Sequence, residues 1–235
     1  MRTSKTLFVA LVAGLIGPGC SLAVQSSRDH APVEATEGAH GRTPLRVART
    51  LPLGSTVSIE GTVSTPSGVF NSSFYDRGFA VQDRLAGIFV SLQYDLGMKV
   101  GQKVRVTGAI GDSNGLALLV PGHPNDVQVL PGVGELEPLV CATGSVNETT
   151  EGRLVTVTGQ ITQSVVSDLP YGYKFLVDDG SGALMIFINV ETGIDPSVYT
   201  QGTRVRITGF SSQYADHYEI DPRFPRDLHI LSGHD

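Results

Sequence analysis

Residues 101–130 read GQKVRVTGAIGDSNGLALLVPGHPNDVQVL, and residues 202–231 read GTRVRITGFSSQYADHYEIDPRFPRDLHIL. A constant offset of 101 residues pairs Gly101 with Gly202, Val104 with Val205, Arg105 with Arg206, Thr107 with Thr208 and Gly108 with Gly209. The same offset pairs Pro121 with Pro222, Pro124 with Pro225, Asp126 with Asp227 and Leu130 with Leu231. Self-similarity at one fixed spacing is a statement about architecture. The period is far longer than a solenoid repeat, so each copy reads as a whole small domain.

Upstream of the quoted stretches the correspondence continues. VSIEGTVS (57–64) and LVTVTGQIT (154–162) alternate apolar and polar residues, the mark of a half-buried strand. Each carries a mid-strand glycine, Gly61 or Gly159, where a strand bends or bulges. A small closed barrel needs such a corner. A loop follows, 65–78 in copy one and 163–173 in copy two. FAVQD (79–83) and FLVDD (175–179) then run through a tight turn into IFVSL and LMIFI, a hairpin pattern. After a connector, KVRVTGAI (103–110) and RVRITGFS (204–211) resume the alternation. A final loop leads to DVQVL (126–130) and DLHIL (227–231), read as the fifth strand of each copy. Neither copy contains a long amphipathic helix, and IDPSVYTQ (194–201) suits a short one with Pro196 in its first turn.

This strand order resembles the OB-fold, a five-stranded Greek-key barrel. ARTLPLGSTVSIEGTV followed by FAVQDRLAGIFV, and EGRLVTVTGQIT followed by FLVDDGSGALMIFI, are similar to OB-fold modules of secreted bacterial proteins. Such modules accompany extracellular nuclease, phosphoesterase or lamin-tail domains. The resemblance covers residues 45–231 and rests on structural glycines and core residues, so it implies fold rather than activity. The chain has no room for a catalytic domain beside the barrels. The fold expected is all-β: two tandem five-stranded OB-fold barrels after a signal peptide and a flexible tether.

The expected boundaries are a signal peptide over 1–23, a tether over 24–44, barrels over 45–131 and 145–231, a linker over 132–144 and a tail over 232–235. Arg2 and Lys5 precede the apolar run Leu7–Ile16, followed by Gly17-Pro18-Gly19-Cys20, which has the form of an export leader. The run is too short to span a bilayer. A cut before Cys20 makes that residue the lipidated start of a bacterial lipoprotein; a cut after Ala23 frees a secreted protein. The lipoprotein reading is preferred. The tether lacks periodicity and aromatics, and a metal site on its His30 and His40 lacks fixed partners.

Formal charge is −6 over 235 residues. Without Arg2 and Lys5 the mature chain stands near −8, with 15 basic against 23 acidic residues. Copy one is nearly neutral and copy two is acidic. Neither has the basic surplus of a sequence-independent phosphate binder. Only two cysteines occur, Cys20 and Cys141, and Cys141 reads as a partly buried small apolar residue. No G-x-S-x-G, H-E-x-x-H, P-loop or C-x-x-C is present. Asp178-Asp179-Gly180-Ser181-Gly182 lacks the spaced ligands of a calcium loop and reads as a turn. No cofactor or metal is expected.

Candidate ligand residues fall in the loops. OB barrels take ligands on the face of strands 2 and 3, between the loops joining strands 1–2 and 4–5. Copy one places Phe70, Phe74, Tyr75 and Arg77 in the first of these; copy two places Tyr171, Tyr173 and Lys174 there. The second loop of copy two carries Tyr214, His217 and Tyr218, with Arg223 shortly after. Rings beside cations suit stacked bases or sugar faces. The competing reading, that loop aromatics fold back to cap the barrel, is preferred for Phe70 and Phe74.

The leading expectation is therefore an exported, non-enzymatic binding protein for single-stranded or extracellular nucleic acid. The second is an envelope structural or adaptor lipoprotein that binds protein or glycan, touching the membrane only through a lipid at Cys20. The third, a hydrolase such as a nuclease or phosphodiesterase, has no recognisable catalytic set behind it.

Overall fold

The computed structural model describes residues 41–232. The expected leader with Cys20, the tether through residue 40 with His30 and His40, and residues 233–235 lie outside the described residues. Residues 41–44 are held on the first barrel: Thr43 N–H donates to the Ser58 carbonyl at 2.8 Å, and Arg42 pairs with Glu60 at 3.2 Å.

After a one-turn helix, α1 (Leu45–Ala48), come β1 (Thr56–Thr65), β2 (Phe79–Gln82), β3 (Gly87–Val90), β4 (Gln102–Ser113) and β5 (Leu116–Val120). They pair in the order β1-β2-β3-β5-β4, with β4 returning to β1, so the sheet closes. β3 and β5 run parallel and the other neighbours are antiparallel. β6 (Val127–Val133) adds a sixth strand outside β4. β7 (Leu139–Val140) then lies parallel to the start of β8 (Leu154–Asp168). β9 (Gly172–Asp178), β10 (Leu184–Asn189), β11 (Arg204–Tyr214), β12 (His217–Asp221) and β13 (Leu228–Ile230) complete the second barrel, ordered β8-β9-β10-β12-β11 with β11 returning to β8. Both are five-stranded barrels of OB type.

The fifth barrel strand is not the one expected. DVQVL and DLHIL lie outside the barrels as β6 and β13, flanking β4 and β11. The closing strands are β5 and β12, which the copies share least in sequence. The signal was Asn114-Gly115, an Asn-Gly pair with both residues at positive φ that folds β4 tightly onto β5. In copy two, residues 163–168 and 172–174 are not loop either: they extend the β8–β9 hairpin beyond the barrel. Residues 132–144, read as a linker, carry the end of β6, all of β7 and the start of a short 3-10 turn at Thr143–Ser145. Another 3-10 turn, Pro196–Val198, forms where a short helix was expected, with Pro196 at its first position.

Alternation decides which side chains enter each barrel. Val104, Val106 and Ile110 of β4 point in, while Lys103 and Arg105 point out. Val57, Ile59, Phe79, Val81, Ile88 and Leu119 fill the rest of the first core. Val155, Val157, Phe175, Val177, Ile186, Val205, Ile207 and Ile220 fill the second. Each fully buried side chain of this size contributes about 1.5–3 kcal/mol. The corner glycines are equivalent: a Cβ at Gly61 would sit 2.6 Å from Val81 Cγ1 and 2.8 Å from the Gln82 carbonyl, and one at Gly159 would sit 2.7 Å from Val177 Cγ1 and 2.8 Å from the Asp178 carbonyl.

A third apolar cluster joins the copies. Phe70, Ala80, Phe89, Leu116 and Leu118 lie on the outer side of barrel one, and Phe210 of β11 closes on them. Phe70 packs edge-on against both Phe89 and Phe210, at 4.9 and 5.0 Å between ring centres. β2 and β3 are therefore buried on both faces. Arg49, from the first copy, reaches Glu151 at 3.0 Å and Glu148 at 2.7 Å, and Glu151 also accepts the Ala117 N–H at 2.9 Å. Burial pushes the Glu151 carboxyl up, against the pull of Arg49 and that N–H. Leu154 N–H donates to Gln82 Oε1 at 2.7 Å. Gly87 and Gly152 meet backbone to backbone; a Cβ on either would overlap the other's carbonyl. The described residues belong to one compact unit.

Candidate ligand surface at the seam

Barrel one cannot offer the ligand face its fold provides, because Phe210 covers the outer side of β2, β3 and β5. The loop before β2 serves the seam instead. Asp76 is fully buried and accepts from Ser72 N at 3.1 Å, from Ser72 Oγ at 2.8 Å and from Ser91 Oγ. This carboxylate pins the loop from inside. Phe70 is buried in the seam on the outer side of barrel one and does not cap the barrel as expected, and Phe74 stays exposed. Tyr75 sits at φ 53, a left-handed conformation that costs a non-glycine residue about 1–3 kcal/mol and is met at functional sites.

The strain aims Tyr75 at the second copy. Its hydroxyl donates to the Tyr171 hydroxyl at 3.0 Å, and the two rings lie 6.0 Å apart. That hydrogen bond, with lesser contributions from Tyr171, burial and Tyr214, raises the Tyr75 phenol. Tyr171 is presented by the β8–β9 turn, closed by its N–H to the Asp168 carbonyl at 3.0 Å. Tyr214 ends β11 and meets the His217 ring at 6.0 Å. The two hairpin tips dock through Ala215 N–H, which donates to the Asn114 carbonyl at 2.7 Å; within copy one, Asn114 Nδ2 donates to Ser73 Oγ at 2.8 Å and so ties this tip to the loop that carries Tyr75. Tyr75, Tyr171 and Tyr214 are 66%, 49% and 51% exposed, so the rings meet in solvent rather than in a core.

The cations beside these rings are already partnered. Arg77 faces Asp95 at 3.8 Å, and Lys174 faces Asp168 at 3.3 Å. His217 lies between Glu219 and Asp216, 3.5 Å from each. Its hydrogen bond to Glu219 raises the imidazole despite partial burial.

The other expected site residues lie apart. Tyr173 leans on the second core, and Tyr218 packs there too while its hydroxyl donates to Glu148 at 3.3 Å. Arg223 is buried, doubly bonded to Asp227 and donating to the Ser64 carbonyl of barrel one at 2.6 Å. Sequence placed it in a loop near a ligand; its guanidinium instead fastens the copies. Cys141 is half-buried, and burial pushes its thiol up, away from the reactive range. Asp179 is a turn residue, held far below the usual carboxylate range by hydrogen bonds from Ser181 and Thr143. His123 Nδ1 caps the turn at Pro124, accepting the Asn125 N–H at 3.1 Å.

No family model matches the chain, and no curated protein matches it. Solved structures similar to it include an OBody, AM3L09, bound to hen egg-white lysozyme, at 17% identity over 39% of this chain and 93% of that one, TM-score 0.33. Others are a murine DNA binding protein bound with double-stranded DNA, at 10% identity over 74% and 96%, TM-score 0.37, and the tetrameric p202 HIN2, at 12% identity over 77% and 94%, TM-score 0.37. At such scores nothing these proteins bind is carried over to this chain.

Proposed function

We propose that the chain is a binding protein without catalysis of its own, and that its ligand lies across the seam on Tyr75, Tyr171, Tyr214 and His217. One observation carries this: rings from both copies converge at the surface, and one of them is held there in a strained backbone conformation. Exposed apolar surface gathered in one place marks a recognition site. The Cys141 thiol is shifted away from reactivity, which speaks against a nucleophile there. The modules that the sequence resembles stand beside nucleases, but no catalytic residue transfers to this chain.

Charge separates the two ligand classes that offer flat faces. Arg77 and Lys174 are neutralised by Asp95 and Asp168, and the whole chain is acidic. An uncharged glycan strand, stacking its sugar rings on tyrosine, needs no free cation. Single-stranded nucleic acid is the second reading, favoured by the same rings with Arg77 and Lys174 close by in sequence. It requires both lysine and arginine to exchange carboxylate for phosphate.

Alanine at Tyr75, Tyr171 or Tyr214 is expected to weaken binding by about 1–3 kcal/mol each, the cost of losing one stacking ring. Calorimetric titration with cello- and chito-oligosaccharides and with single-stranded DNA, at low and high salt, tests this. A glycan titration flat in salt supports the first reading, and a steep fall for DNA the second. Unchanged affinity in all three variants removes the site.

We also propose that the protein acts outside the cytoplasm. The basic start, apolar run and small-residue cleavage zone over 1–23 support export, and Cys20 supports a lipid anchor. Mass spectrometry of the native N-terminus is expected to find acylated Cys20, with free Val24 as the secreted form; an intact Met1 rules out both.

A further inference from the structure

From the arm of barrel two and the connector beside it, we infer a second binding site, for a single uncharged sugar ring. β8 runs past the barrel and bulges there: Gln163 pairs with Leu176, but the next pair is Val166 with Lys174, so Ser164 and Val165 are squeezed out of register. Bulges of this kind re-aim side chains beside binding sites. Opposite the bulge, Pro196 fixes a 3-10 turn whose start is capped by Asp195, accepting the Ser197 N–H at 2.9 Å. Between arm and turn lies an open cleft of about 350 Å³. That is near the lower end of volumes that hold small ligands, about 300–1,000 Å³.

Its lining dictates the ligand class. Two tyrosines, Tyr173 and Tyr199, give it aromatic surface. Tyr199 is fixed, stacked 5.8 Å from Phe175 with the rings 8° from parallel. Around them stand the hydroxyls of Ser164, Ser167, Ser197 and Thr200. No carboxylate, ammonium, guanidinium or imidazole lines the cleft. A charged ligand would find no counter-ion among the lining residues, since the Asp195 carboxylate beside them is engaged by the Ser197 N–H, and a purely apolar one would leave the hydroxyls unmatched. A pyranose fits both demands: its C–H face lies on a tyrosine, and its hydroxyls exchange hydrogen bonds with serine and threonine, which both donate and accept. The choice of sugar follows the glycan reading above; the cleft does not depend on it and shares no residue with the ring cluster at the seam.

Two-dimensional amide NMR of the full chain, titrated with glucose, N-acetylglucosamine and, separately, adenosine and cytidine, tests the inference. The expected result is a saturable shift of residues 164–167 and 196–200 with a sugar, at a dissociation constant of about 1 mM, as befits a small neutral ligand. Ser197→Trp, at an exposed position, fills the cleft and should abolish those shifts while the rest of the spectrum keeps its dispersion. Tyr75→Ala and Tyr214→Ala should leave them intact, even if oligosaccharide binding at the seam is lost. Absence of saturable shifts, shifts that survive Ser197→Trp, or shifts with nucleosides but not sugars would overturn the site.

Discussion

Asp221 shows how one residue can oppose the fold that contains it. Its side chain is buried, 3% exposed for the residue, and neither carboxyl oxygen has a hydrogen-bond partner. Desolvation, with the nearby Glu219 charge adding to it, lifts its ionisation well above the ordinary carboxylate range. The folded protein therefore keeps a proton that the unfolded chain releases near pH 3.9, and stability falls as pH rises above that point. Asp221→Asn has no such proton to lose. Its thermal midpoint should rise relative to the parent as pH increases from about 4 toward neutrality, and the gap should close again on acidification. Melting curves across this range check it; two parallel profiles would mean Asp221 ionises freely. The position was silent in the sequence, because the stretch that holds it, from Tyr214 to Arg223, was read as a loop and not as the strand it is. Only the covering of β12 makes it costly.

At the level of elements, what was legible depended on how local the signal was. The alternation of β1, β4, β8 and β11, the β2–β3 turn and the corner glycines are local patterns, and the structure follows them. The closing strands failed because the copies were matched by similarity, and similarity favoured DVQVL over LALLV. LALLV diverges from its counterpart for a physical reason: Leu116 and Leu118 turn outward to meet Phe210, while Glu219, opposite Met185 in the equivalent parallel pair, does not. Tyr75, Tyr171, Tyr214 and His217 were legible as candidate residues, but their convergence was not. It depends on Asn114 and Ala215 touching across the two copies, a contact separated by some hundred residues. Arg223 was misplaced for the same reason, since Ser64 in the other copy is its partner.

For the whole molecule, the seam should make two barrels melt as one. Phe210 joins Phe70 and Phe89 from outside its own barrel, so Phe210→Ala removes the wedge without touching either interior. Loss of a buried phenylalanine costs about 3–5 kcal/mol. Calorimetry should show a single transition for the parent chain, and for Phe210→Ala a lower onset that resolves into two. A variant that still melts as one unit at the parental temperature would show that the barrels are joined chiefly by Arg49 and its carboxylates. The two copies are not equal neighbours in a row: the outer face of the first is spent on holding the second. A fragment carrying either half alone would bare a greasy flank where Phe89 and Phe210 now touch, and would be sticky by construction.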